Sequence, residues 1–136
     1  MKETVRDLVS QYGTRNPFEL AEKMDIIITY ADMKRYRGLF LKPLEIPVIV
    51  ISQNLPDYLT KFVLAHEIGH SVLHSDLNAL AFKDTLLSNN RHELDANKFA
   101  IYLLISDEDV ESYPDRTIDE WACIFGLPRE IIELRF

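Results

Sequence analysis

From Leu59 to Leu73 the chain leaves an α-helix almost no polar face, and that constrains the fold more than any other stretch. Leu59, Phe62, Val63, Leu64, Ala65, Ile68, Val72 and Leu73 are spread around the whole circumference. A helix apolar on all sides is a buried helix. Inside it stand His66, Glu67 and His70, groups that are costly to bury unless they are hydrogen-bonded or hold a metal. His66 and His70 are four apart and so project from one side of the helix. Both imidazoles can therefore reach one ion, and Glu67 can reach a water beside it. HEIGH is the HExxH pattern of zinc hydrolases, in which two histidines bind the metal and the glutamate is the general base. The competing explanation is a core helix with two satisfied histidines and an ion-paired glutamate.

A catalytic zinc takes a third protein ligand and keeps one position open. His74 lies on the same stripe. In an unbroken helix, however, it stands about 12 Å along the axis from His66, too far to share one ion. It is expected to be a polar group at the helix end that supports a ligand from behind. RHELDANKFAIYLL, residues 91 to 104, reads as a second core helix with Glu93 and Asn97 on one face and small Ala96 and Ala100 beside them. Glu93 is the better third ligand, with Asp95 as the substitute, and Asn97 could then hold a ligand histidine in place. Asn90 and Glu93 also satisfy the spacing of a helix capping box, a purely structural use of the same glutamate. His92 could stabilise an oxyanion, but the sequence does not fix where it points. The expectation is one Zn2+ per chain.

The remaining sequence frames this pair of helices. The 136 residues, 47% hydrophobic and 27% charged, suit a single domain over 1–136. A formal charge of −7 argues against direct nucleic-acid binding. Residues 2–13 read as an amphipathic helix ending at Gly13, and Asn16 caps a second helix that opens with Pro17. Residues 26–30, 38–41 and 46–52 read as strands, the last buried on both faces. Short links between them predict a small, mostly antiparallel three-stranded sheet. Asn54 is the expected cap of the central helix. Residues 75–90 read as a loop or short helix, either a lid with Leu77, Leu80, Phe82, Leu86 and Leu87 over the core or a packed connector. Residues 106–119 read as acidic turns. Thr117 or Asp119 starts a helix that Gly126 ends, and a last helix follows Pro128. The terminal helix pairs resemble helix-turn-helix units but lack a basic reading face. Cys123, in the run WACIF, is expected to be buried. No signal-peptide core or membrane span is visible, so a cytoplasmic protein without a membrane partner is expected.

HEIGHSVLH followed by HELDANKFAIYLL resembles the ImmA/IrrE family of metallopeptidases. Their signature is HExGHxxLH, then a helix with an acidic residue two before a Glu/Asp-Ala-Asn-x-Phe-Ala run and a Leu-Leu pair. The likeness is specific over about residues 54–105, and the ending WACIFGLPREIIELRF is similar to short phage and mobile-element members. The resemblance implies a zincin-like α+β fold with the buried HExxH helix packed on the sheet and on a second metal-ligand helix. It implies a gluzincin-like zinc site of His66, His70 and Glu93, and it makes Glu67 catalytic. It also implies a protein substrate, the Xre-type helix-turn-helix repressor encoded beside such peptidases, whose cleavage derepresses a mobile element or stress genes. Asp95 stands where the family usually has glutamate, and Ser106-Asp107 replaces a frequent Met-Pro. The rival is a zinc-stabilised module that inactivates a repressor by docking without cutting.

Overall fold

The computed structural model describes residues 1–74, the backbone of 79–83, and residues 90–136. The chain is α+β. Helix α1 (Lys2–Tyr12) turns Val5 and Leu8 inward, and Gly13, at φ 74°, closes it by donating its N–H to the Val9 carbonyl. Helix α2 (Pro17–Lys23) begins as the sequence predicts, with the Asn16 side chain accepting from the Phe18 N–H.

Three strands follow the expected segments: β1 (Ile27–Ala31), β2 (Tyr36–Leu41) and β3 (Val48–Ser52). The sheet is mostly antiparallel, as expected, but departs from the three-stranded expectation in two ways. It has four strands in the order β1-β3-β2-β4, and β1 runs parallel to β3, with Ile27 opposite Val48. The short link after β1 carries β2 past one strand position, which β3 then fills. By returning antiparallel to β2, β3 necessarily runs alongside β1. The fourth strand, β4 (Ala79–Lys83), falls where a loop or short helix is predicted. It pairs antiparallel with the free edge of β2, and satisfying that edge outweighs the weak strand propensity of ALAFK. The remainder of the expected lid or connector, and the side chains of Leu80 and Phe82 within it, lie outside the described residues.

Strand β3 is not buried on both faces. Ile49 and Ile51 are fully buried, whereas Val48 and Val50 are only half-buried, because one face of the sheet carries the helices. Helix α3 (Asp57–Leu73) lies on that face, between β2 and β3 on one side and α4 (Arg91–Leu104) on the other. Its N-cap position is taken by Pro56 rather than Asn54. Pro56 is already extended, and its carbonyl accepts from the Leu59 and Thr60 N–H groups. Gly69 sets the approach of the two central helices: a Cβ there would stand 3.0 Å from the Phe99 ring. Phe40, Phe62, Phe99, Ile49, Ile51 and Ile101 fill the core on both sides of α3.

The C-terminal part is more helical than the sequence suggests. Ser106 and Asp109 form a reciprocal capping box that starts α5 (Asp107–Ser112) in the stretch expected to be turns. Thr117 caps α6 (Ile118–Phe125), Gly126 ends it at φ 64°, and α7 (Arg129–Glu133) is shorter than the predicted last helix. Cys123 is exposed, not buried, because α6 buries Trp121 and position 123 falls on the other side of so short a helix. Arg135 ties the chain end back. It donates to the Ile105 carbonyl at 2.9 Å and to Asp107 at 2.7 Å.

Candidate metal and catalytic site

The apolar character of α3 carries His66, Glu67 and His70 into the interior, where all three are fully buried. The helical repeat stacks the two imidazoles edge to face with ring centroids 4.8 Å apart and their Nε2 atoms 3.1 Å apart. From α4, Glu93 reaches between them. Its Oε2 lies 2.9 Å from Nε2 of His66, and its Oε1 lies 2.9 Å from Nε2 of His70. Asn90 caps α4 with its side chain, accepting from the His92 and Glu93 N–H groups. The Glu93 carboxylate goes to the histidines, so the cap forms without taking the glutamate. Asp95 is not at this pair: its carboxylate lies 3.9 Å from Nε2 of His74.

The far sides of both imidazoles are held as well. His66 donates its Nδ1–H to Oδ1 of Asn97 at 2.8 Å. Nδ1 of His70 is 3.1 Å from Nδ1 of His74, the residue that ends α3. The exposed His92 ring packs against His74 at 4.3 Å between centroids. All four histidines of the chain thus form one continuous row, His66, His70, His74 and His92, from the core to the surface.

Two observations test whether this cluster suits a cation. With Nδ1–H given to Asn97, Nε2 of His66 faces a carboxylate oxygen at 2.9 Å and can hold it only with a proton or a cation between them. Two acceptors at that distance repel unless positive charge lies with them. The second is Glu67. Both of its oxygens are buried with no hydrogen-bond partner among the described residues. An oxygen of Glu67 and one ring nitrogen from each histidine lie within 4.8 Å of one another. Of the two glutamates, Glu93 is the closer to the imidazoles and Glu67 the one left unengaged. Two imidazoles and a carboxylate are a donor set that zinc accepts.

Electrostatics separate the two acids. Burial, and then the charge of Glu93, push the Glu67 carboxyl well above its ordinary range. Burial also acts to raise Glu93, but the hydrogen bonds and charge of His66 and His70 outweigh it and bring Glu93 down to about 2. Burial lowers His70 despite the opposing pull of Glu93, and it lowers His74 too, with the neighbouring His70 adding to the effect.

One neighbour is not named by any motif. Glu67 lies along Gly38 of β2, where a Cβ would stand 3.1 Å from the glutamate Cγ. The signal in the sequence is a lone glycine within a strand, which marks a bulge or a close approach.

A family model described as the IrrE N-terminal-like domain, a peptidase domain, matches residues 21–136. The chain is 34% identical, over 139 aligned positions, to the uncharacterized immunity region protein 2 of Bacillus phage phi105, covering 99% of this chain and 88% of that protein. It is 30% identical over 111 positions to the metallopeptidase ImmA of Bacillus subtilis (strain 168), covering 79% of this chain and 64% of that protein. Among the described residues no helix is long and apolar enough to cross a membrane.

Proposed function

Because the chain belongs to the ImmA/IrrE family of metallopeptidases, we propose that it is a zinc-dependent endopeptidase that cuts a helix-turn-helix repressor in the cytoplasm and so derepresses a phage or mobile element. The observation that carries the peptidase reading is the convergence of His66, His70 and Glu93 at 2.9–3.1 Å beside a buried, unengaged Glu67. The similarity to a phage immunity-region protein supports a substrate in a control circuit of that kind. A HExxH helix held between a mixed sheet and a second helix supports a zincin-like fold.

In this reading His66, His70 and Glu93 hold one zinc per chain, and when bound it supplies Lewis acidity to the scissile carbonyl and to the attacking water. The other steps belong to the protein. Glu67 accepts the proton of the water as its oxygen attacks the carbonyl carbon, then delivers that proton to the amine as the C–N bond breaks. Burial raises the Glu67 carboxyl above its ordinary range, a shift in the direction of a group that both takes and returns a proton. Asn97 keeps His66 in one tautomer, and His74 supports His70 from behind. The low pKa of Glu93 keeps it anionic as a ligand at any working pH.

The test is the intact mass of the neighbouring helix-turn-helix repressor after co-expression with this protein and with Glu67→Gln. Two fragments summing to the repressor plus one water, absent with the Gln variant, are expected. An intact repressor in both, with one bound metal per chain, would favour inactivation by docking.

A further inference from the structure

We infer that Gly38 is a positioning residue for Glu67: the missing side chain on β2 is what admits the glutamate carboxylate to its place beside His66 and His70. The inference rests on the reading of Glu67 as the general base. It starts from a question of support. A buried carboxylate is ordinarily oriented by hydrogen bonds, and Glu67 has none at either oxygen among the described residues. Among the described residues, packing therefore sets where those oxygens stand. The wall they stand against is the α-carbon of Gly38. A Cβ on it would lie 3.1 Å from Cγ and 3.2 Å from Oε1 of Glu67, and 2.5 Å from Cγ1 of Val63. Val63 and Glu67 are one helical turn apart, so one strand position supports both.

Backbone conformation does not account for the glycine. Of the four glycines only Gly13 and Gly126 have positive φ, so the strand at Gly38 takes a shape any residue adopts. What position 38 requires is space. Cross-strand pairing also resists a local shift of the backbone at this position. Gly38 is paired with Ile51 of β3 on one side and with Phe82 of β4 on the other, next to the irregularity that separates the Tyr36 and Gly38 pairings. A side chain there must be accommodated by α3, and Glu67, whose carboxylate has no hydrogen bond among the described residues, is the member of that contact with least to hold it in place.

Gly38→Ala alone would also strike Val63, so the test is made in a Val63→Ala background that removes this collision. Crystal structures of full-length Val63→Ala and Gly38→Ala/Val63→Ala, both metal-free, read the position of the Glu67 carboxylate directly. Steady-state cleavage of the purified repressor reads its consequence, and zinc content is measured on both. The expected result is a displaced carboxylate in the double variant and one zinc per chain in each. The added Cβ asks for a carboxylate shift of a few tenths of an ångström, so kcat should fall several-fold relative to Val63→Ala, short of the roughly 100-fold that a 1 Å misplacement costs, with KM nearly unchanged. A Glu67 carboxylate that superimposes in the two structures overturns the inference, as does a displaced one with unaltered kcat. Should the unmodified protein leave the repressor intact, the peptidase reading fails on its own terms, and the crystallographic comparison still decides the role of Gly38.

Discussion

The Nδ1–H of His66 is donated to Oδ1 of Asn97 at 2.8 Å, so a residue on α4 sets the tautomer of a histidine on α3. The opposite ring nitrogen is thereby left to face Glu93 and His70. Replacing Asn97 with Ala should weaken zinc binding by about 10- to 100-fold, the range for losing such a support. Asn97→Asp, which keeps the acceptor, should recover most of it. Competition against a chelator of known affinity measures both variants.

The two glutamates should affect stability in opposite directions when the protein is stripped of metal. Glu67 has a raised pKa in the folded chain, so its contribution is intact below its unfolded value of about 4.3 and is lost as the pH rises through the folded value. Metal-free Glu67→Gln should therefore melt above metal-free wild type at pH 8, and the gap should close near pH 4. A variant that melts lower throughout would contradict the assignment of an unsatisfied buried carboxylate.

Glu93 reverses this sign. Its folded pKa of about 2 lies below the unfolded value, so its contribution is present above about pH 4.3 and is lost as the pH falls toward 2. Metal-free Glu93→Gln should melt below wild type at neutral pH, and the difference should shrink in acid. Thermal scans across pH 2.5–8 in the two backgrounds make the comparison (roughly the window set by the two shifts).

Zinc should stabilise the folded chain by mass action, by about 4 kcal/mol when free zinc exceeds its dissociation constant 1,000-fold. Chelation should remove that increment from wild type and from Glu67→Gln alike. His66→Ala should show no increment. Calorimetry with and without chelator separates ligand loss from catalytic loss.

A substitution far from the site provides a control on the fold. Gly126 ends α6 in the left-handed region, and a Cβ there would lie 2.6 Å from the Tyr58 ring at the start of α3. Gly126→Ala combines backbone strain with overpacking and should cost about 2 kcal/mol or more. Denaturant midpoints measure the loss, and zinc stoichiometry should be unchanged in the folded fraction.

The grouping of His66, His70, Glu93 and Asn97 is more legible in the sequence than the sheet is. Residue spacing on helices places His66 and His70 together, and the small and polar pattern of α4 points to Glu93 and Asn97, because helical periodicity is strong over long segments. The parallel pairing of β1 and β3 was hidden because short links suggest neighbouring strands, and here one position was skipped and filled later. Strand β4 was hidden because ALAFK has little strand character of its own, and its pairing is imposed by the open edge of β2. Cys123 was misplaced because hydrophobic neighbours in sequence say little about which side of a short helix is covered. Gly38 has no chemistry to advertise, and its place beneath Glu67 exists only once the sheet is assembled.

The candidate donors sit on two helices with β4 lying between them in the chain. An ion shared by His66 and Glu93 would act as a reversible cross-link that closes the intervening chain into a ring. In the loop-closure account, a cross-link spanning a segment of this size removes about 3–4 kcal/mol of unfolded-state entropy. That ring contains an outer strand of the sheet, β4. Occupancy of the centre would therefore be reported by amide exchange at Ala79–Lys83, an edge strand that the ring would hold at both ends.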